Sequence, residues 1–247
     1  MKFYNKKILI EILILFFLTF KVYGYDKNNI IRHAGGAIDG NTYTNSLEAV
    51  LNSIEKGYNF IELDLSLSED SKIVFLHDWD TFKNQTNSVN SNPVSYENYL
   101  NKKILKKYST IELNKINLLM NENEKLHIIT DKIDNFHLLK KSFTNFDRII
   151  IEIFGIKNYL KSYFVNNLTD KNKLLSTHMS FKHKVFIKFF NVKKITTPCS
   201  IIELNENFLK NYIKNKNEVY CYTLNNKEKF LHLKQKKLIS KIYSDFL

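Results

Sequence analysis

Residues 32–36 read R-H-A-G-G, residues 43–49 Y-T-N-S-L-E-A, residues 57–65 G-Y-N-F-I-E-L-D-L and residues 74–79 V-F-L-H-D-W. Two histidines and two carboxylates therefore sit in short apolar runs, with one amphipathic segment between them. Residues 59–67 alternate: Ile61, Leu63, Leu65 and Leu67 fall on one face of a strand, Glu62, Asp64 and Ser66 on the other, with Phe60 at the base. Two carboxylates two residues apart on one strand face lie about 7 Å apart. Burying a lone charge costs on the order of several kcal/mol or more, so the cluster is either a metal site or an ion-pair network. Two histidines with an E-x-D pair point to the metal site.

Outward from this stretch, residues 29–32 form a short strand ending at His33. Gly35, Gly36 and Gly40 follow, three of only six glycines in the chain, and such a concentration marks backbone that turns tightly or approaches something closely. No Gly-Lys-Ser/Thr follows, so this is not a phosphate-binding loop of that kind. A helix is expected from Asn45, with Glu48 closing a capping box. Leu47, Val50, Leu51 and Ile54 would form its buried stripe and Gly57 its end. Strand, helix and strand make a βαβ unit and hence a parallel sheet. Residues 71–78 form another strand that places His77 and Asp78 at its end.

Residues 80–120 are Asn- and Lys-rich, contain Pro93 and show weak periodicity, the pattern of an inserted subdomain or lid rather than a barrel repeat. Alternation then resumes, with strands expected near residues 127, 149, 174, 195, 219 and 240 and helices between them. With the strands near 30 and 60 this makes eight, which favours a closed (β/α)8 TIM barrel carrying a small insertion between its second and third units. The 71–78 strand is then extra and belongs with the insertion. In such a barrel the leucine face packs on outer helices, and the acidic face looks into the mouth where catalytic groups gather.

At 247 residues, 44% hydrophobic and 25% charged, the chain is long and apolar enough for one such domain over residues 25–247. The net charge of +12 comes from scattered lysines, with short clusters at Lys102-Lys103, Lys106-Lys107 and Lys236-Lys237. It reads either as a solvated surface or as attraction to anionic lipid, polyphosphate or acidic glycan. No basic motif interleaved with aromatics lines a nucleic-acid groove. Residues 1–24 open with Lys2, Lys6 and Lys7, and residues 8–20 are apolar except for Glu11 and Thr19. This run is shorter than the roughly 20 residues of a membrane span and fits a signal peptide or an uncleaved anchor, hence export. Cys199 and Cys221 are either one disulfide or two buried thiols.

The order H-x-G, N-S-L-E-A, G-x-x-x-I-E-x-D and V-x-x-H-D resembles the glycerophosphodiester phosphodiesterase family, over essentially the whole chain after the leader. V-Y-C-Y-T-L-N at 219–225 and I-Y-S-D at 242–245 match that family's last two strands. The resemblance implies a TIM barrel and metal-dependent hydrolysis of a phosphodiester bearing glycerol or a related alcohol. It makes His33 and His77 the acid/base pair, and Glu62, Asp64 and Asp131 the ligands of one divalent cation. Lys132 would contact phosphate, and Tyr222 stands where the family has a substrate-stacking aromatic; Trp79 would wall the site. Three positions depart from the pattern: Ala34 replaces an Arg, Thr44 a Glu, and Asp131-Lys132 a Glu-x-Lys.

Phosphodiesters resist hydrolysis because the anion repels nucleophiles and the alkoxide leaves badly, and a hard divalent cation eases both problems. Ligands that are all oxygen suit Ca2+ or Mg2+ rather than zinc. Imidazoles titrate near neutrality and can share the proton transfers. Two rival readings keep the same residues: a phospholipase acting on intact lipid, and a catalytically weak barrel that binds metal or a phosphorylated glycan. His127 reads as structural, and His137, His178, His183 and His232 carry no assignment.

Overall fold

Runs rich in Ile, Val and Leu recur along the chain, and β-branched side chains pack well on a pleated, half-buried surface. In the computed structural model, which describes residues 26–88 and 93–247, these runs form β1 (Ile30–Arg32), β2 (Phe60–Leu63), β3 (Leu65–Leu67), β4 (Ile73–Phe75), β5 (Lys103–Ile104) and β6 (Tyr108–Ser109). They continue as β7 (His127–Thr130), β8 (Ile149–Phe154), β9 (Lys173–Ser176), β10 (Lys194–Pro198), β11 (Glu218–Tyr222) and β12 (Lys241–Ser244). Helices are α1 (Leu47–Glu55), α2 (Trp79–Thr86), α3 (Tyr96–Leu100), α4 (Leu113–Glu122), α5 (Phe136–Ser142), α6 (Ile156–Lys161), α7 (Phe181–Phe189), α8 (Glu206–Lys214) and α9 (Lys227–Gln235). The expected leader, residues 1–24, lies outside the described residues.

Strands β1, β2 and β7–β12 close into an eight-stranded parallel barrel in that order, β12 returning to β1 with Ile30 opposite Ile242. The TIM barrel read from the alternation is the observed fold. Inside, Ile31, Ile129, Ile150, Leu174, Tyr220 and Tyr243 fill the barrel. Outside, strand residues such as Ile61, Ile128, Ile151 and Ile242 meet helix residues such as Val50, Met120, Ile187 and Leu233 in one larger core. Each such side chain contributes roughly 1.5–3 kcal/mol on burial.

The strand expected over residues 59–67 breaks at Asp64. Its N–H takes the Asn45 side-chain carbonyl at 3.0 Å and its C=O accepts from Leu76 N–H at 3.1 Å, so its backbone leaves the barrel ladder. β3 then turns into an antiparallel hairpin with β4. This hairpin, α2, α3 and the β5–β6 hairpin form the insertion, with a core of their own that includes Val74, Phe82, Tyr99 and Tyr108. The buried Tyr99 hydroxyl bridges the backbones of Phe75 and Ile111. The C-terminal part of the segment expected as insertion, α4, instead packs Ile116, Leu119 and Met120 into the barrel's outer core.

Three local expectations for α1 are corrected. Ser46, not Asn45, caps the helix, its hydroxyl accepting from Ala49 N–H. Glu48 closes no capping box, because its carboxylate accepts from the Ser109 N–H and hydroxyl at 2.8 and 2.9 Å and so pins the insertion to the barrel. Leu51, expected in the buried stripe, is 40% exposed, and Ser53 takes the inner position. Cys199 and Cys221 form a disulfide between the ends of neighbouring strands β10 and β11.

Candidate active site

The C-terminal ends of the strands converge on a cavity of about 270 Å3, lined among others by His33, Glu62, Asp64, His77, Asp131, Lys132, Glu152 and Tyr222. A larger groove of about 490 Å3 lies on the barrel flank between α7 and α8 and contains no carboxylate or histidine. The carboxylates and histidines singled out in the sequence gather in the smaller space.

His33 follows β1 at the start of a tight turn. Ala34, next to it, has φ +48°, and its N–H donates to Glu62 Oε2 at 2.7 Å. Gly36 has φ +92°, and a Cβ there would meet the Arg32 guanidinium at 2.5 Å and Ser53 Oγ at 2.8 Å, so only glycine fits. Arg32 itself bonds Ser53 and Leu247 and covers the Tyr58 ring, away from the cavity. Ala34, where the resemblance implies an Arg, thus supplies a backbone donor to a buried carboxylate and no cationic side chain.

Glu62, Asp64 and Asp131 each offer an oxygen, and these atoms lie within 4.8 Å of one another. All three side chains are buried or nearly so. Burial pushes the Glu62 carboxyl well above the usual range, and the charges of Asp64 and Asp131 add to the effect. Burial and the Asp64 charge push Asp131 up to about 8, partly offset by Lys132. Asp131 Oδ1 is buried with no hydrogen-bond partner. Three crowded oxygen ligands, one of them unpartnered, are what a hard divalent cation satisfies, and the set contains no sulfur or imidazole that would favour zinc. The residues present fit such an ion.

Several polar residues hold this cluster in place. The Asn45 amide, in a left-handed backbone position (φ +43°), donates to Asp64 Oδ2 at 2.9 Å. Lys132 Nζ donates to Asp64 Oδ1 at 2.6 Å and to the His77 carbonyl, joining a barrel strand end to the insertion. His33 Nδ1 lies 2.9 Å from Asp245 Oδ1, and Asn225 donates to the other oxygen at 2.8 Å. Burial would raise the Asp245 carboxyl, yet the bonds from His33 and Asn225 hold it below its ordinary value. His77 Nδ1 lies 2.5 Å from Asp78 Oδ2. The Asp78 carboxyl is held low by the Thr81 N–H it caps at the start of α2, together with His77. Both partner carboxyls are held low, which assigns the Nδ1 proton of each ring to its carboxylate, and both rings line the cavity. His33 Nε2 is 4.0 Å from Glu62 Oε2.

The structure brings His33, His77, Glu62, Asp64, Asp131, Lys132 and Tyr222 to one cavity. Trp79 does not join them. It is partly buried at the start of α2, edge-on to Phe82 at 5.7 Å beside the insertion's core. His127 stacks on Phe60 at 4.8 Å at the other end of the barrel. Sequence reasoning missed Tyr43, whose ring stands edge-on to both His33 (4.6 Å) and His77 (5.5 Å). It also missed Glu152, buried under the cavity and bonded to the Tyr243 hydroxyl at 2.9 Å. A carboxylate inside the apolar run I-I-I-E-I-F is the same signal that singled out Glu62. Tyr43 sits in a loop and gives no such signal.

Residues 33–198 match the glycerophosphoryl diester phosphodiesterase family. The chain belongs to that family. The family's barrel is seen in solved structures of low sequence identity. A glycerophosphodiester phosphodiesterase from Thermotoga maritima is 19% identical, with a TM-score of 0.63 over 90% of this chain and 96% of that one. A glycerophosphoryl diester phosphodiesterase from Parabacteroides distasonis is 17% identical, with 0.65 over 91% and 86%. An Oleispira antarctica phosphodiesterase in complex with the product sn-glycerol-3-phosphate is 12% identical, with 0.68 over 88% and 93%. No curated protein matches the chain. Family membership makes the protein a phosphoric diester hydrolase of the glycerophosphodiester phosphodiesterase type.

Proposed function

We propose that the protein hydrolyses a glycerophosphodiester to an alcohol and glycerol phosphate, with His33 and His77 as the acid/base pair and Glu62, Asp64 and Asp131 holding one divalent cation, Ca2+ or Mg2+. The observation that carries this reading is the crowding of three carboxylates, with the Asp131 oxygen unpartnered, in a cavity that also holds two histidines, each held by a carboxylate. When bound, the cation supplies neutralisation of the phosphate charge. One Nε2 removes a proton from the attacking water as the water oxygen bonds to phosphorus. As the bond from phosphorus to the departing oxygen breaks, the other Nε2–H protonates that oxygen. Asp245 and Asp78 fix the tautomer of each ring and stabilise its charged form. Lys132 Nζ, bonded to Asp64 in the carboxylate cluster, would meet a phosphate oxygen, and Tyr222, which lines the cavity, would form part of the wall against the alcohol.

A cavity of about 270 Å3 suits a water-soluble head group better than an intact diacyl lipid. We also infer that the chain is exported: residues 1–24 have the composition of a signal peptide or anchor, and a disulfide favours an oxidising compartment. The test is glycerol 3-phosphate release from several glycerophosphodiesters by chelator-stripped protein, with and without added Ca2+ or Mg2+. Release restored by metal and abolished by His33→Ala is expected. Tight metal binding with no turnover of any diester would leave a binding barrel.

A further inference from the structure

We propose that the outer face of α7 is a docking surface for an anionic lipid bilayer. A helix on the outside of a barrel ordinarily joins an apolar inner stripe to a polar outer one. In α7 the inner positions Phe186 and Ile187 are buried as expected, but Phe181, Val185 and Phe189 recur at helical spacing on the opposite side. Phe181 is 83% and Phe189 80% exposed.

The patch extends beyond the helix. Phe189 contacts Phe190 at 5.0 Å, and Phe190 contacts Tyr163 at 6.1 Å, whose chain neighbour Phe164 is 86% exposed. On the other side the Lys184 and Lys188 ammonium groups each lie 5.9 Å from the Phe208 ring of α8. A contiguous apolar patch of this kind marks an interaction surface.

Charge selects the partner. Residues 171–202 contain seven lysines and no Asp or Glu. Lys182 and Lys188 are exposed on α7, set among the outward phenylalanines. Aromatics that enter the head-group boundary, beside lysines that meet lipid phosphates, form an interfacial helix, and its polar-face charge matches an anionic leaflet. No described helix is long and apolar enough to cross a membrane, so the contact lies on the surface. It is independent of the proposed catalysis, since none of these residues lines the catalytic cavity.

The experiment is co-sedimentation of the full chain with phosphatidylcholine vesicles, with and without 30% phosphatidylglycerol (about that fraction gives a strongly negative surface), across a salt series. Two variants are compared: Phe181→Ser/Phe189→Ser and Lys182→Glu/Lys188→Glu. Both change exposed side chains, and unchanged melting and diester turnover establish that they fold. Salt-sensitive binding to the anionic vesicles is expected, weakened about tenfold or more by each variant. Equal binding of parent and variants would assign attachment elsewhere, the N-terminal segment included, and overturn the proposal. Absence of binding would do the same, as would a solution dimer abolished by the phenylalanine variant, which would give the face to a second copy.

Discussion

Asn45 binds Asp64 twice: its side-chain amide donates to Oδ2 at 2.9 Å, and its side-chain carbonyl accepts the Asp64 N–H at 3.0 Å. One residue therefore both ends β2 as a barrel strand and orients a carboxylate of the acidic cluster. Residues that orient metal ligands govern affinity nearly as strongly as the ligands do.

Asn45→Ala is accordingly expected to weaken Ca2+ or Mg2+ binding about 10- to 100-fold, read by calorimetric titration of chelator-stripped protein. At saturating metal much of the turnover should return. Unchanged affinity would show that Asp64 keeps its place without Asn45.

In the proposed reaction Asp245, 2.9 Å from His33 Nδ1, acts through that ring. Asp245→Asn retains the shape but removes the charge that fixes the Nδ1–H tautomer, and kcat should fall about 10²- to 10⁴-fold with little change in KM. A structural role alone would lower the melting temperature and leave the kcat pH profile of the folded fraction intact. The measurement is that profile together with the melting curve.

Stability without metal should depend on pH with a definite sign. Glu62 is raised well above its ordinary 4.5, and Asp131 is raised from an ordinary 3.8 to about 8. The folded, metal-free protein thus keeps protons that the unfolded chain releases. From about pH 4 upward the unfolded state binds fewer protons, so stability falls with rising pH until about pH 8, where Asp131 ionises in the fold as well. A divalent cation should reverse this loss. The gain in melting temperature on adding Mg2+ or Ca2+ should be larger at pH 8 than at pH 5; a gain independent of pH would count against the carboxylates as ligands.

Trp79 is expected to matter for folding rather than for chemistry. Its ring packs on Phe82 beside the insertion's core, so Trp79→Ala should cost about 1–3 kcal/mol, below the range for a fully buried Trp. Activity on a soluble diester at a permissive temperature should stay within a few-fold of the parent. A selective rise in KM with no change in melting would return Trp79 to the substrate wall.

Local chemistry alone was enough for much of this site. The alternation through Glu62 and Asp64 and the histidine closing β1 are readable because a strand of period two declares its faces and ends within a few residues, whereas Asp131 and Lys132 are implied by the family resemblance. The eight-strand count is readable for the same reason, each strand being an apolar run between polar segments. Local pattern failed where a side chain had a distant partner to choose. Glu48 could close a capping box, but Ser109 of the insertion claims it. Residues 59–67 alternate without a break, yet Asn45 takes the Asp64 N–H and turns the chain out of the barrel.

The sequence by itself determined the barrel, the carboxylate pair and both histidines, since periodicity and burial cost are properties of neighbouring residues. Only the tertiary structure decided what holds them. Asp245 reaches His33 across nearly the whole chain, Tyr43 stands between two rings from different segments, and Glu152 lies beneath the cavity. These are contacts between strand ends and loops, and no local preference encodes them. They exist because closing the sheet brings β12 beside β1, and because Lys132 ties the His77 carbonyl to the end of β7.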